Sequence, residues 1–221
     1  MTATIATTPI ATLPKIYLVD DEEVIRDALG WLFKSCELPL QVFACAQEFL
    51  DFLDSAQWDR QQPACLLLDV RMSGMTGLEL FEVLHQRQIV PALPVIFLTG
   101  HGDVPMAVDM LKKGAFDFVE KPFNNNALVD RSRQALEFSA AQAHASASQA
   151  RVQILLDSLS PREVEVMDLI LAGKLNKVIA DALGISMRTV EVHRARVFEK
   201  MQIKSAVELA QLLKRTQAPS E

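Results

Sequence analysis

The sequence lacks any apolar run long enough to cross a membrane. Its longest apolar runs, such as residues 64–68 and 94–98, fall far short of the roughly 20 residues that a membrane-spanning helix needs. The first residues also lack the basic start and the continuous apolar core of a signal peptide. We therefore expect a protein with no membrane partner, and we interpret residues 1–14 as a flexible tail.

Cysteine is scarce and does not occur at a metal-binding or redox spacing. Cys36, Cys45 and Cys65 are odd in number, and none belongs to a C-x-x-C motif. This pattern excludes a disulfide scaffold and favours buried cysteines in a reducing compartment, so we expect a cytoplasmic location. Hydrophobic residues make up 50% of the chain, which excludes a wholly disordered protein.

Length and charge both suggest two domains. A chain of 221 residues is long enough for two small domains. Residues 1–150 carry 11 Lys/Arg and 19 Asp/Glu, whereas residues 151–221 carry 11 Lys/Arg and 9 Asp/Glu. The net charge of −6 therefore combines an acidic half with a mildly basic half, and such halves are expected to have different partners.

The acidic half alternates short apolar runs with amphipathic helical patterns. Five units of this kind follow one another, with predicted strands at residues 16–19, 41–45, 64–70, 94–99 and 116–119. Continuous apolar strands that alternate with helices are typical of a parallel sheet covered on both faces. The sequence therefore predicts an α/β domain with a doubly wound five-stranded parallel sheet over residues 15–135.

A segment rich in Ala, Gln and Ser follows this domain. Neither Gly nor Pro occurs between residues 123 and 159. A flexible Ala/Ser linker and a long helix both remain open, and we favour the helix because Ala is the best helix former. We place this helical linker at residues 136–156.

The basic half has the pattern of an all-α domain over residues 157–217. Ser160 and Glu163 form a capping box around Pro161, and a second helix stops at Gly184. Ser186 then caps the next helix, so that two helices are joined by a turn of three residues. This arrangement predicts a helix-turn-helix.

Polar residues follow the predicted strands at the edge where their carboxyl ends meet. They are Asp20 and Asp21, Asp69, the pair Thr99-Gly100, and Lys121. Three neighbouring carboxylates repel one another, and Mg²⁺, which binds carboxylate and carbonyl oxygens, would relieve the repulsion. A carboxylate in such a site can attack a phosphoryl group, and a lysine can stabilise the transferred oxygens.

These residues lie in four motifs: LVDDEE (18–23), LLLDVRMSGMTGLEL (66–80), PVIFLTGHGD (94–103) and GAFDFVEKPF (114–123). With these motifs in this order, residues 15–123 resemble the receiver domain of bacterial two-component response regulators. The resemblance implies that Asp69 accepts a phosphoryl group from a sensor histidine kinase. It also implies a flavodoxin-like fold and a bound Mg²⁺ with four ligands, namely Asp20, Asp21, Asp69 and the carbonyl of Arg71.

The same resemblance assigns a switch to the acceptor site. It implies that Lys121 contacts the phosphoryl group, that Thr99 moves toward it, and that Gly100 leaves room for it. Phe118 occupies the position of the aromatic switch residue, and Lys121–Pro122 is expected to be a cis peptide. One residue departs from the family pattern: Ser73 stands where the family often has Pro, which alters the stiffness of the loop after the acceptor. We expect Ser73 not to touch the acidic cluster.

Three other interpretations of the acidic residues need comparison. Asp20 and Asp21 could cap the first helix, and the receiver could be inert, although the complete set of acid, Thr and Lys residues argues against this. An aspartyl phosphatase would need a D-x-D pair after its first strand, whereas here the two aspartates are adjacent. We therefore expect a regulator and not an enzyme.

Residues 157–215 resemble the LuxR-type helix-turn-helix of the NarL/FixJ regulators. The sequences of the receiver motifs DVRM and FDFVEKPF are most similar to those of the FixJ-like branch. The carrying segment is LSPREVEVMDLILAGKLNKVIADALGISMRTVEVHRARVFEKMQIKS (159–205), from which Leu175 departs because a small polar residue is usual there. Val190, Val197 and Met201 are expected to pack inward. The predicted DNA-binding residues are Lys177, Arg188, Thr189, Glu191, Val192, His193, Arg194, Ala195, Arg196 and Lys200.

Within this set, the resemblance places base reading at Glu191, Val192 and Ala195, with Arg188 and Arg194 nearby. Lys177, His193, Arg196 and Lys200 are expected to contact phosphates, which position a domain without specifying sequence. We expect a homodimer on phosphorylation, formed through residues 104–137. The expected partners are DNA and a histidine kinase, with RNA polymerase as a further candidate.

Overall fold

The sheet confirms the fold class expected from the sequence. The computed structural model describes residues 13–100 and 104–217, so most of the predicted tail at residues 1–14 lies outside the described residues. All five strands are parallel and lie in the order β2-β1-β3-β4-β5. They are β1 (Lys15–Val19), β2 (Leu40–Phe43), β3 (Ala64–Asp69), β4 (Val95–Thr99) and β5 (Asp117–Glu120).

Helices cover both faces of this sheet. Neighbouring residues of a strand point to opposite faces, so each strand contributes side chains to both packed layers. Leu66, Leu68 and Phe97 pack on one face, and Leu67 and Ile96 pack on the other. The helices are α1 (Glu23–Ser35), α2 (Ala46–Leu53), α3 (Gly77–Gln86), α4 (Val104–Lys112) and α5 (Asn125–Asp157). The central strands β3 and β4 are buried along their whole length, which explains their uninterrupted apolar sequence.

Helix α5 is continuous over the Ala-rich segment, so the flexible-linker alternative does not hold. The chain divides into two compact units, and the boundary falls within α5 after His144. In the first unit, the buried hydroxyl of Ser139 accepts from the N–H of Ala64 at 3.1 Å and donates to the carbonyl of Ala92 at 2.8 Å. Contacts of α5 with the rest of the first unit therefore include residue 139, which lies within the predicted linker at 136–156.

The second unit is built from short helices around its own core. These helices are α6 (Pro161–Leu171), α7 (Asn176–Leu183), α8 (Met187–Lys200) and α9 (Ala206–Gln217). The predicted capping box is present, since Ser160 Oγ accepts from the N–H of Glu163 and Glu163 accepts from the N–H of Ser160. Gly184 ends α7 with φ +64°, a conformation that favours glycine and opens the tight turn toward α8.

Over residues 13–100 and 104–217, no helix is both long enough and apolar enough to cross a membrane.

Candidate functional site

Lys121 joins two buried carboxylates at the carboxyl edge of the sheet. Its Nζ lies 2.8 Å from Asp20 Oδ2 and 2.7 Å from Asp69 Oδ1. Asp20 and Asp69 are 0% and 5% exposed, so these charges interact with little screening by water. Lys121 also lies 3.7 Å from Glu22 Oε1, and the predicted cis peptide to Pro122 is present.

Burial and charge pairing act in opposite directions on this cluster. Burial raises the pKa of Asp69, and the hydrogen bond and charge of Lys121 offset only part of that rise. Burial lowers the pKa of Lys121, but the bonds to Asp20 and Asp69 outweigh it, so the ammonium stays protonated. The site thus holds a permanent cation next to a carboxylate that is less acidic than an exposed one.

Asp21 is held by a different partner. Its Oδ2 accepts from the backbone N–H of Ser73 at 2.8 Å, and this bond is the main reason why its pKa lies below the ordinary value. Asp20 Oδ1 accepts from the N–H of Glu22 at 2.9 Å. Neither aspartate occupies the N-cap position of α1, which is Glu22 and makes no side-chain capping bond.

The remaining predicted site residues lie after β3, at the end of β4 and on β5. The backbone N–H of Arg71 donates to the Asp69 carboxylate, and Thr99 ends β4 with 2% exposure. A methyl group added at Gly100 would meet no atom within 4 Å, so there is open space at this position. Phe118 is half-buried, and its ring centroid lies 5.9 Å from that of Phe97.

Two residues of the site, Gly77 and Arg26, escaped the sequence reasoning. A Cβ at Gly77 would lie 2.0 Å from the carbonyl oxygen of Asp69, so α3 begins directly against the acceptor's backbone. Arg26 donates to the carbonyl of Asp20 at 2.7 Å. The expectation that Ser73 does not touch the acidic cluster is wrong, because its backbone N–H donates to Asp21 Oδ2. The glycine after the capping residue Thr76 was a visible signal, whereas nothing in the local pattern marked Arg26.

The donor set fits Mg²⁺, which typically takes one or two carboxylates together with carbonyl oxygens and water. Asp20, Asp21 and Asp69 offer carboxylate oxygens, and Arg71 offers a carbonyl. Over the described ranges, the structure contains no cluster of three or more His, Cys, Asp or Glu side chains that could hold a metal by themselves.

Helix α8 has one buried face and one exposed basic face. Val190, Val197 and Met201 are at most 1% exposed, as predicted. Ser186 caps the helix by accepting from the N–H of Thr189 at 3.1 Å, and the two hydroxyls lie 2.8 Å apart. The exposed predicted contacts are Arg188, Glu191, Val192, Ala195 and Arg196 on α8, and Lys177 on α7.

Three predicted DNA contacts are less available than the sequence suggested. Lys200 Nζ lies 2.6 Å from Glu163 Oε2 and 2.9 Å from the carbonyl oxygen of Ser158, so its ammonium already has two partners. The Arg194 guanidinium lies over the Phe198 ring at 5.5 Å. His193 is half-buried, and its buried Nδ1 has no hydrogen-bond partner among the described residues.

Glu163 is the acidic half of the most buried ion pair in the second unit. It is 3% exposed, and the Lys200 ammonium, followed by the N–H of Ser160, lowers its pKa to about 2. The pair ties the C-terminal end of α8 to the N-terminal end of α6, where a negative charge is also favoured by the helix dipole. Lys200 therefore has a structural role in this unit.

Family models match both parts of the chain. Residues 16–133 match the response regulator receiver domain, and residues 157–213 match the bacterial regulatory proteins of the luxR family.

Individual relatives match over nearly their whole length. The C4-dicarboxylate transport transcriptional regulatory protein DctR of Rhodobacter capsulatus is 48% identical, covering 89% of this chain and 98% of the relative. The transcriptional regulatory protein FixJ of Bradyrhizobium diazoefficiens is 39% identical, covering 93% and 97%. The solved structure of the response regulator StyR has a TM-score of 0.83 at 37% identity, covering 92% of this chain and all of that one.

Proposed function

Because this chain belongs to the NarL/FixJ family of two-component transcriptional response regulators, we propose that phosphorylation of Asp69 controls the binding of α8 to DNA. The observation that carries the proposal is the contact of Lys121 with Asp20 and Asp69 at 2.8 and 2.7 Å. This contact places a cation beside Asp69, which is the last residue of the central strand β3.

The transfer step needs an ionised Asp69 and compensation for phosphoryl charge. A carboxylate oxygen of Asp69 attacks the phosphorus of a phosphohistidine in the partner kinase, the P–N bond breaks, and the imidazole leaves with the electron pair. The Lys121 ammonium, already at Asp69, stabilises the phosphoryl oxygens. Mg²⁺, held by Asp20, Asp21, Asp69 and the carbonyl of Arg71, supplies further positive charge when bound.

The phosphoryl group would then be sensed at the adjoining strand ends. Thr99 donates to it, the open space at Gly100 admits it, and the half-buried Phe118 packs inward when Thr99 moves. We propose that this rearrangement favours a homodimer through residues 104–137. Such a switch is a population shift whose size is limited by the differential stability of the two states.

We divide the proposed DNA contacts into base contacts and phosphate contacts, with the solvent exposure of each side chain as a guide. Glu191, Val192 and Ala195 face solvent on α8 and are assigned to base edges, with Arg188 beside them. Arg194 stays beside the base-reading residues, Thr189 is proposed as a further DNA contact, and phosphate contacts are assigned to Lys177, His193 and Arg196. Lys200 is assigned to the Glu163 ion pair in the first place, since a phosphate would have to compete with that buried carboxylate.

The wider biological setting belongs to the same proposal. The kinase and DNA act as partners in the cytoplasm, RNA polymerase is a candidate partner at the promoter, and the chain acts as a regulator and not as an enzyme. We propose a receiver domain over residues 15–135, a linker over 136–156 and a DNA-binding domain over 157–217.

Labelling and mass measurement together test this function. With Mg²⁺ and a small-molecule phosphodonor, the wild-type protein should gain one stable, acid-resistant and alkali-labile phosphoryl group, whereas Asp69→Asn should gain none. Light scattering with beryllofluoride, a phosphoryl mimic, should show a monomer becoming a dimer in the wild type only. Equal labelling of Asp69→Asn would contradict the acceptor assignment, and an unchanged mass would contradict control by dimerisation.

A further inference from the structure

Ser73 is the residue that holds Asp21 in place. Its backbone N–H donates to Asp21 Oδ2 at 2.8 Å across 52 residues of sequence. This backbone bond is the main reason why the pKa of Asp21 lies below its ordinary value. The donor comes from the loop that follows β3, which is also the loop that carries the carbonyl of Arg71.

The three carboxylates of the site are therefore not held alike. Asp20 and Asp69 each direct an oxygen to the Lys121 ammonium at 2.7–2.8 Å. Asp21 instead receives one neutral donor from an exposed loop residue, and it keeps acceptor capacity because a carboxylate has about four lone-pair positions. Its orientation thus depends on Ser73 more than on the lysine.

We infer that Ser73 is a positioning residue for Mg²⁺ binding, which orients Asp21 through its backbone N–H while the carboxylate keeps oxygen capacity for the cation. This inference rests on the proposed function, because it requires a metal site that includes Asp21. Hydrogen bonds behind a ligand fix its orientation, and their loss typically weakens metal binding about 10–100-fold. A proline at this position has no N–H, so the serine supplies a donor that proline cannot.

Calorimetric titration of the full-length unphosphorylated chain with MgCl₂ tests the inference. Ser73→Pro removes the N–H donor and should weaken Mg²⁺ binding by about tenfold or more. Ser73→Ala keeps the N–H and removes only the hydroxyl, so its affinity should stay within about threefold of the wild type. Asp21→Asn is the reference for loss of the ligand itself, and far-ultraviolet circular dichroism of each variant monitors the fold.

A second measurement uses the wild type alone, so it does not depend on how the loop tolerates proline. Hydrogen exchange of the Ser73 amide, followed by NMR, should be as slow or slower with saturating Mg²⁺ as without it. Faster exchange would mean that the metal takes Asp21 away from Ser73, and this would overturn the inference.

The outcomes separate the inference from the proposed function. Mg²⁺ binding by Ser73→Pro that equals or exceeds that of the wild type would overturn the role of Ser73 and leave the metal site standing. No Mg²⁺ binding by the wild type, or no loss in Asp21→Asn, would overturn the metal site at Asp21 and the inference with it.

Discussion

Lys121 has one ammonium group for two buried carboxylates, and Asp21 adds a third acid nearby. The folded site therefore carries more negative than positive charge, and burial keeps the pKa of Asp69 above its ordinary value. A residue needed for phosphoryl transfer is thus held at a cost to stability. The neighbouring Gly77 shows how closely the backbone packs there, since α3 starts in contact with the carbonyl of Asp69.

We predict that Asp69→Asn stabilises the first unit at pH 7 by about 1 kcal/mol. An acid whose pKa is raised in the folded state opposes folding once it is ionised, and asparagine removes that charge at nearly the same volume. The gain should shrink as the pH falls toward the raised pKa, because the wild-type carboxyl then becomes neutral as well. Urea unfolding followed by tryptophan fluorescence reports on this unit, since both tryptophans, Trp31 and Trp58, lie in it.

The matched control for this prediction is Asp54→Asn. Asp54 forms an exposed pair with Arg87, so its replacement should change the free energy of unfolding by less than about 0.5 kcal/mol. A loss of stability in Asp69→Asn at pH 7 would show that the Lys121 contact outweighs the burial of the charge.

Gly77→Ala should destabilise the first unit by more than about 2 kcal/mol and slow phosphorylation of Asp69. The added Cβ would lie 2.0 Å from the Asp69 carbonyl oxygen, so the backbone of the acceptor or the start of α3 must move. Gly30→Ala is the control, because its Cβ meets nothing within 4 Å and alanine should stabilise α1 by about 0.5–1 kcal/mol. Equal stability of the two variants in urea unfolding would contradict the close contact.

At the scale of elements, α5 and α8 each depend on a few polar contacts with distant parts of their own unit. Ser139 connects α5 to the N-terminal end of β3 and to the carbonyl of Ala92. Lys200 connects the end of α8 to the start of α6 through Glu163. From 144 to 151, by contrast, the residues of α5 are exposed, so intrinsic Ala-rich helix propensity supports the helix there.

Ser139→Ala should destabilise the first unit by about 2 kcal/mol, because it leaves the buried N–H of Ala64 and the carbonyl of Ala92 without this partner. Glu137→Ala lies on the same helix at an exposed position of the first unit, and it should change the free energy of unfolding by less than about 0.5 kcal/mol. Fluorescence-detected urea unfolding of both variants measures the difference, and equal midpoints would count against the anchoring role of Ser139.

The Glu163–Lys200 pair should make the free energy of unfolding of the second unit depend on pH in the acidic range. The pKa of Glu163 is lowered to about 2 from an ordinary 4.5, so the pair stabilises the fold above the ordinary pKa and is lost as the pH falls toward 2. Glu163→Gln should cost about 2 kcal/mol at pH 7 and should lack this part of the pH dependence.

Circular dichroism of the helices follows this transition, since the second unit contains no tryptophan. Glu165→Gln, which affects only the surface pair with Arg162, is the matched control and should behave like the wild type. A Glu163→Gln protein whose stability falls between pH 4.5 and 2 as steeply as that of the wild type would contradict the assignment.

At the scale of the whole molecule, a chain with a net charge of −6 is proposed to bind a polyanion. The uneven distribution of charge resolves this conflict, because residues 151–221 carry a small positive excess and α8 exposes arginines. Local charge governs phosphate contacts, since charges farther away than a Debye length of about 8–10 Å are largely screened. DNA affinity should therefore fall steeply with salt in spite of the acidic net charge.

Arg196→Ala should weaken DNA binding by a similar factor on all sequences and lower the slope of log K against log salt by about 1. Glu191→Gln should instead change base preference and leave that slope unchanged, because Glu191 is assigned to a base edge. Fluorescence anisotropy over a salt series, with cognate and random duplexes, measures both effects. A changed base preference in Arg196→Ala would contradict its assignment to phosphate.

The sequence by itself determined the elements and most of the chemistry. Apolar runs with helical patterns between them defined the strands and helices of the sheet, and the capping residues Ser160 and Ser186 defined the starts of α6 and α8. The residues after each strand predicted which side chains meet at the edge of a parallel sheet. These are local or periodic signals, so one chain is enough to read them.

Only the tertiary structure decided which of those side chains touch. Lys121 meets Asp20 across 101 residues, Ser73 meets Asp21 across 52, and Lys200 meets Glu163 across 37. No periodicity encodes such pairs, because they depend on where the chain returns after each crossover and on rotamers that packing selects. The same reason explains why Lys200 looked like a phosphate contact in sequence, whereas the fold gives it a buried partner.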